Sequence, residues 1–191
     1  MHRRKMIFVG TSLFLLLALG SALFLTTIFQ HSYVGAINKN GIFYAFHENN
    51  LSAGPVWTQS FAVSTDCPNC IPGGNISSAA FDGTHLYVAV GQTTLNGVSC
   101  PGTVNELNPA TGAFLWRKCL NAPVLGSLVE IPGVLGVAYG NTINLLNPTN
   151  GNVLYSYKGT APGSLFWSGL VVAEGMIFAG NMDGRMFAFG L

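Results

Sequence analysis

Two hydrophobic patterns divide the chain. An uncharged apolar run extends from Ile7 to Phe29, whereas residues 31–191 contain short runs rich in Val, Ile, Phe, Tyr and Leu, separated by turn dipeptides such as Asn40-Gly41 and Asp82-Gly83. Short apolar runs between such turns predict β-strands. Because no amphipathic helix pattern interrupts them, the sequence predicts two parts, a hydrophobic helix within residues 1–30 and an all-β domain at 31–191.

Residues 1–30 are predicted to be a membrane anchor or a signal segment. The 23 uncharged residues of the stretch 7–29 are enough for a helix that crosses about 30 Å of hydrocarbon. The basic residues His2 to Lys5 stay in the cytoplasm by the positive-inside rule. A cleaved signal peptide is the alternative, since Leu19 to Ala22 contains small residues that a signal peptidase could use. Both interpretations place residues 31–191 outside the cytoplasm.

Composition excludes several classes of protein. The chain has 191 residues, of which 49% are hydrophobic and 8% charged, so it is neither disordered nor a coiled coil. Residues 31–191 carry five basic and seven acidic side chains, a net charge of −2. Nucleic acid is therefore not a predicted partner, because its binding depends on a basic surface.

An internal repeat determines the predicted fold. The segment Leu107–Trp116 aligns with Leu146–Tyr155, 39 positions later, and looser copies place Phe46 and Phe189 at the equivalent of Leu107. A period near 40 that is built only from strands predicts a β-propeller of four-stranded antiparallel blades. The chain supplies about three and a half blades. The ring is therefore not expected to close by itself. Either the gene product is truncated, or copies assemble to complete the ring, or four blades form an unusually small closed propeller. An open edge would favour self-association or a protein partner.

The aromatic residue after each tight turn is predicted to pack between blades. In each repeat, Pro fixes one φ angle of the turn and Gly takes the position with φ above zero. Trp57, Trp116 and Tyr155 follow these turns at the start of the fourth strand. All three are predicted to be core residues.

These repeats resemble the pyrroloquinoline-quinone-like (PQQ-like) β-propeller family, which includes quinoprotein dehydrogenases and the outer-membrane barrel-assembly lipoprotein. The family repeat has a strand that ends in Ala-Leu-Asp, a Thr-Gly turn and a Trp. Here the Asp is replaced by Asn108 and Asn147, and the Ala by Glu106 and Leu145. The quinone-dependent members bind PQQ with calcium and have a disulfide between adjacent cysteines. This chain has no adjacent cysteines and seven acidic residues, so no cofactor is expected, and PQQ with calcium is the alternative.

Four cysteines are predicted to lie on one face of the propeller: Cys67, Cys70, Cys100 and Cys119. Outside the cytoplasm, two disulfides are the preferred interpretation, most simply Cys67–Cys70 and Cys100–Cys119, although sequence alone cannot choose among three pairings. A tetrahedral metal site with all four cysteines as ligands and thiol exchange by the Cys67–Cys70 pair are the alternatives.

No catalytic residue or metal site is predicted. His31, His47 and His85 have no motif partners. Asp66, Glu130 and Asp82 do not form an acid–base pair, because the strand assignment places Asp82 on the face opposite the cysteines. The sequence predicts a non-catalytic extracytoplasmic binding or scaffold module, attached to the membrane through residues 7–29. The alternative is a subunit or remnant of a PQQ-dependent alcohol or sugar dehydrogenase.

Overall fold

The domain is all-β and consists of antiparallel sheets. The computed structural model describes residues 32–61, 77–161 and 163–190, and the predicted N-terminal helix lies outside them. The strands are β1 (Tyr33–Ile37), β2 (Ile42–His47), β3 (Trp57–Ser60), β4 (Ala80–Phe81), β5 (Leu86–Val90), β6 (Thr93–Leu95), β7 (Val98–Cys100), β8 (Gly102–Leu107), β9 (Phe114–Leu120), β10 (Val129–Ile131), β11 (Val134–Tyr139), β12 (Thr142–Leu146), β13 (Val153–Lys158), β14 (Val171–Ala173), β15 (Met176–Gly180) and β16 (Met186–Gly190). A short 3₁₀ turn spans Leu51–Ala53.

Four of the sheets are blades of a propeller. Blade 1 has the order β1-β2-β3, blade 2 β4-β5-β8-β9, blade 3 β10-β11-β12-β13 and blade 4 β14-β15-β16, while β6 and β7 form a separate hairpin. The repeat equates Phe46 of β2 with Leu107 of β8 and Phe189 of β16, the third strands of their blades. Within the described residues, blade 1 therefore lacks a first strand and blade 4 a fourth. The described blades form an open arc, in agreement with the predicted partial propeller.

The repeated turns explain why asparagine replaces aspartate. In blade 2 the Asn108 side-chain oxygen accepts the N–H of Ala110 at 2.9 Å, and the Asn108 carbonyl accepts the N–H of Gly112 at 2.8 Å. Asn147 makes the same contacts in blade 3, with Thr149 at 2.9 Å and Gly151 at 2.8 Å. A neutral amide oxygen accepts these bonds as a carboxylate would, so the turn does not require a charge.

Hydrophobic side chains fill the three junctions between successive blades. Phe43, Ala45, Val88, Val90 and Leu107 pack between blades 1 and 2. Tyr87, Ala89, Val104, Leu135, Val137 and Leu146 pack between blades 2 and 3. Ala138, Ile143, Leu145, Ile177 and Ala179 pack between blades 3 and 4, with Phe187 and Phe189 against them. Each sheet thus has one face toward the previous blade and one toward the next.

Trp57 and Trp116 link neighbouring blades through their indole nitrogens. Trp57 Nε1 donates to the Pro109 carbonyl of blade 2 at 2.9 Å, and Trp116 Nε1 donates to the Pro148 carbonyl of blade 3 at 2.8 Å. Both side chains are half-buried. Each indole also lies against the glycine of the same turn, so a Cβ on Gly112 would lie 2.5 Å from Trp57 Cε3.

Tyr155 does not fit the prediction of a core aromatic residue. Its side chain is 47% exposed, and its ring lies 6.1 Å from that of Phe189. Trp57 and Trp116 are covered by the Asn-Pro turn of the next blade, but no such turn lies opposite Tyr155 in the described part of blade 4. A shallow cavity of about 660 Å³ remains there, lined by Tyr155, Leu145, Val134 and Phe189.

Candidate functional site

A disulfide-linked hairpin distinguishes one face of the arc. Strands β6 and β7 lie in the connection between β5 and β8, with Thr93 opposite Cys100 and Leu95 opposite Val98. Asn96 and Gly97 join them with φ angles of 51° and 80°. Positive φ at both central residues is the type I′ hairpin turn, for which Asn-Gly is the preferred sequence. This dipeptide is the sequence signal for the hairpin, which the predicted strands of the repeat do not include.

Cys100 and Cys119 form a disulfide that ties β7 to β9, with a Cα–Cα distance of 5.4 Å. This is one of the pairings that the sequence left open, and it places both cysteines on the same face. It excludes a metal site with four cysteine ligands, because the two sulfurs are bonded to each other and cannot act as thiolate ligands. Cys67 and Cys70 lie outside the described residues, so their predicted disulfide and the thiol-exchange alternative stay predictions.

The same face presents two exposed hydrophobic side chains. Val98 on the hairpin is 61% exposed, and Trp167, in the connection between β13 and β14, is 41% exposed. The base of the hairpin is held to blade 1, because the Thr93 hydroxyl donates to the Phe61 carbonyl. The hairpin is therefore fixed at its base by a hydrogen bond and a disulfide, and Val98, beside its Asn96-Gly97 turn, faces solvent.

A polar cluster lies on the opposite face, at the junction of blades 2 and 3. The Asp82 carboxylate accepts the backbone N–H groups of Thr84 at 2.7 Å and His85 at 2.6 Å. The Tyr87 hydroxyl donates to it at 2.9 Å, and His85 Nδ1 lies 3.2 Å from it. The same nitrogen lies 3.6 Å from Glu106 Oε1.

Sequence analysis missed this cluster and misplaced Glu130. Glu130 lies in β10, next to the turn at Pro132 and Gly133 that joins it to β11. This turn and that of Asp82 both join first to second strands, so they lie on the same face. Strands β4 and β10, which precede these two turns, contact each other at the junction of blades 2 and 3. Asp82 thus lies on the face opposite Cys100 and Cys119, as the strand assignment predicts, but Glu130 lies on that face as well.

The carboxyl groups of the cluster have opposite pKa shifts. Burial alone would raise the pKa of Asp82, but hydrogen bonds from His85, Thr84 and Tyr87 lower it to about 2. Burial raises the pKa of Glu106, and the His85 and Asp82 charges act on it in opposite directions. Burial and the Asp82 charge raise the pKa of Glu130. Asp82 thus stabilises its turn as an anion, whereas the two glutamates bind a proton more readily in the folded state.

These shifts predict a maximum of stability at mildly acidic pH. The pKa of Glu106 is raised in the folded state, so its protonation stabilises the fold as the pH decreases toward 4.5, the value of an unperturbed glutamate. The pKa of Asp82 is lowered in the folded state, so its stabilising contribution is lost as the pH decreases below 3.8, the value of an unperturbed aspartate. Denaturant unfolding from pH 7 to pH 2 should show both changes. Glu106→Gln should reduce the change in the free energy of unfolding above pH 4.5. Asp82→Asn should reduce the loss of that free energy below pH 4. The exposed Asp183→Asn is the control. A slope above pH 4.5 that Glu106→Gln leaves unchanged would contradict the assignment.

Comparison with known proteins identifies the family. The family model described as outer membrane protein assembly factor BamB matches residues 39–190. The chain belongs to the BamB family. No curated protein matched the sequence. The BamB-family assignment agrees with the resemblance to PQQ-like propeller repeats inferred from the sequence.

Solved structures agree on the fold. The computationally designed Ika4 protein matches with a TM-score of 0.61 and 13% identity, over 85% of this chain and 88% of Ika4. Sqt1 from Saccharomyces cerevisiae matches with a TM-score of 0.59 and 12% identity, over 83% of this chain and 40% of Sqt1. BamB from Moraxella catarrhalis is 18% identical, with a TM-score of 0.43, over 83% of this chain and 54% of that one. This BamB-family chain thus spans about half the length of that BamB.

That no cofactor binds, with PQQ and calcium as the alternative, stays a prediction for the described residues. They contain no group of three His, Cys, Asp or Glu side chains that could hold a metal ion. Asp82 already accepts four hydrogen bonds. Arg117, which could bind a quinone carboxylate, lies 4.2 Å from the Phe114 ring centre and donates to Asn105 at 3.0 Å. No chemical step through quinone or calcium is derived from these residues.

The predicted membrane segment also falls outside the structure that is described. Residues 7–29 are not among the described residues, so neither an anchor nor a signal segment is tested. In the ranges 32–61, 77–161 and 163–190, no helix is long and apolar enough to cross a membrane.

Proposed function

We propose that this chain is a non-catalytic, extracytoplasmic scaffold that binds a partner protein through the face with the disulfide-linked hairpin. Residues 7–29 anchor it to the membrane. The description of the matching family names an assembly factor, and such a factor acts by binding other proteins. The Cys100–Cys119 disulfide supports a location outside the cytoplasm, because disulfides persist in oxidising compartments.

The fixed hairpin is the observation that carries the proposal. Its disulfide and its hydrogen bond to Phe61 limit the conformational entropy that binding would cost. Its exposed tip offers Val98, and the same face offers Trp167. Tryptophan is enriched among the residues that contribute most to protein interfaces. A rigid apolar projection of this kind fits a groove or a sheet edge on a partner protein.

Photo-crosslinking in intact cells tests the proposal. A benzophenone amino acid is introduced at Val98 of the full chain, and the matched control carries it at Leu115, which is also more than half exposed but lies on β9. The Val98 position should give a discrete protein adduct that stays with the membrane after an alkaline carbonate wash. In competition, Val98→Glu in a second copy should weaken formation of that adduct at least tenfold. Equal adducts at both positions, none at Val98, or loss of the adduct on washing would contradict the proposal.

A further inference from the structure

The two ends of the arc present apolar sheet faces that no other described strand covers. The outer face of blade 1 contains Val34, Ala36, Ile42, Tyr44 and Phe46, and the outer face of blade 4 contains Val171, Met176, Phe178, Met186 and Ala188. Met186 is 72% exposed. None of these side chains is charged, and large uncovered apolar faces are unusual on soluble proteins.

The two faces are not alike, because they belong to opposite sides of the repeating blade. Phe46 of blade 1 is equivalent to Leu107, Leu146 and Phe189, whose side chains face the previous blade. Met186 of blade 4 is equivalent to Phe43, Val104 and Ile143, whose side chains face the next blade. Among the described residues, no blade therefore covers the previous-blade side of blade 1 or the next-blade side of blade 4.

The internal junctions show which side chains meet when such faces join. Phe43 and Leu107 belong to one cluster between blades 1 and 2. Val104 and Leu146 belong to one cluster between blades 2 and 3. Ile143 and Phe189 pack in the same cluster between blades 3 and 4. Three junctions thus bring the same two register positions together, and a fourth junction built in this way would bring Met186 against Phe46.

We infer that a second copy of this chain covers both faces. The fourth blade of each copy packs on the first blade of the other, with Met186 of one copy against Phe46 of its partner copy. Each copy offers one face of each kind, so two copies bury all four faces in a closed ring. A heterologous contact of this kind gives a ring when the rotation closes. The inference does not depend on the partner protein proposed above.

Charge reversal tests the inference on the full chain in detergent. The mass of the complex is measured by light scattering over a dilution series, and every variant keeps residues 1–30. Wild type should have the mass of two chains. Met186→Glu and Phe46→Lys alone should each raise the concentration for half dissociation at least tenfold. Leu115→Glu is the matched control, because Leu115 is also exposed but lies on β9 of blade 2, away from both ends of the arc, and it should leave the mass unchanged.

Mixing the two single variants adds the decisive observation. In the mixed dimer, one junction joins the introduced carboxylate to the introduced ammonium, and the other joins the native Phe46 and Met186. Association should therefore return to within about threefold of wild type. Circular dichroism checks that each variant is folded. A monomeric wild type, equal weakening by Leu115→Glu, or no recovery on mixing would overturn the inference.

Discussion

Replacing Leu107 by alanine is expected to lower the free energy of unfolding by about 2–5 kcal/mol. Leu107 is completely buried between blades 1 and 2, in contact with the cluster of Phe43 and Val90. The substitution removes buried methyl groups and leaves a cavity, because the Trp57 hydrogen bond to blade 2 fixes the spacing of the two blades and limits their collapse into it. Guanidinium unfolding of the full chain, at one fixed protein concentration and followed by circular dichroism, measures the loss.

Leu115 provides the matched control for this experiment. It is also a leucine of blade 2, but its side chain is 51% exposed. Leu115→Ala should change the free energy of unfolding by less than about 0.5 kcal/mol, which is usual for surface substitutions. Equal effects of the two substitutions would mean that the junction between blades 1 and 2 is not packed as described.

Removing the Cys100–Cys119 disulfide should cost about 3 kcal/mol, because the bond closes a loop of about 20 residues in the unfolded chain. The double variant Cys100→Ala with Cys119→Ala makes this change. Alanine is preferred to serine, because Cys100 is fully buried and a serine hydroxyl there would need a hydrogen-bond partner. Urea unfolding without reductant measures the difference from wild type.

Reductant separates the effect of the disulfide from that of the lost sulfur atoms. Dithiothreitol should destabilise wild type by about the same amount as the double substitution. Its additional effect on the double variant reports only on Cys67 and Cys70. If reductant leaves the stability of wild type unchanged while the double variant is destabilised, the lower stability of the variant comes from lost packing around Cys100. The disulfide then contributes little to the free energy of unfolding.

Local sequence patterns predicted the parts of the fold that depend on neighbouring residues. The turns at Asn108 and Asn147 combine an amide acceptor with a glycine of positive φ, and both features can be read within five residues. The repeat then predicts the blades, because blades 2 and 3 use the same turn at the same register position. The Asn96-Gly97 dipeptide also predicts a hairpin turn, but its hairpin lies outside the repeat, so the repeat does not predict the two strands that it joins.

The polar cluster could not be derived in this way, because its members meet only through the packing of two blades. Asp82 and Glu106 are 24 positions apart, and they meet at His85 because β5 pairs with β8. Glu130 joins them from the next blade. The exposure of Tyr155 was also not predictable from its repeat position, since it depends on the neighbouring turn and not on the residue.

The partner of a buried amide differs between two repeats, although the strands that carry the amide pair in the same way. Asn105 and Asn144 occupy equivalent positions, and Asn105 accepts from Arg117 at 3.0 Å. Ser156 stands opposite Asn144, and the Asn144 side-chain oxygen has no partner among the described residues.

The shared geometry of the junctions makes the length of the arc adjustable. All three described junctions join the same register positions, so each blade presents the same pair of faces whatever its place in the arc. Duplicating the 39-residue unit that ends at Leu146 would add one blade and one junction of an existing kind. Gene duplication could therefore lengthen such a chain one blade at a time without the need to evolve a new interface.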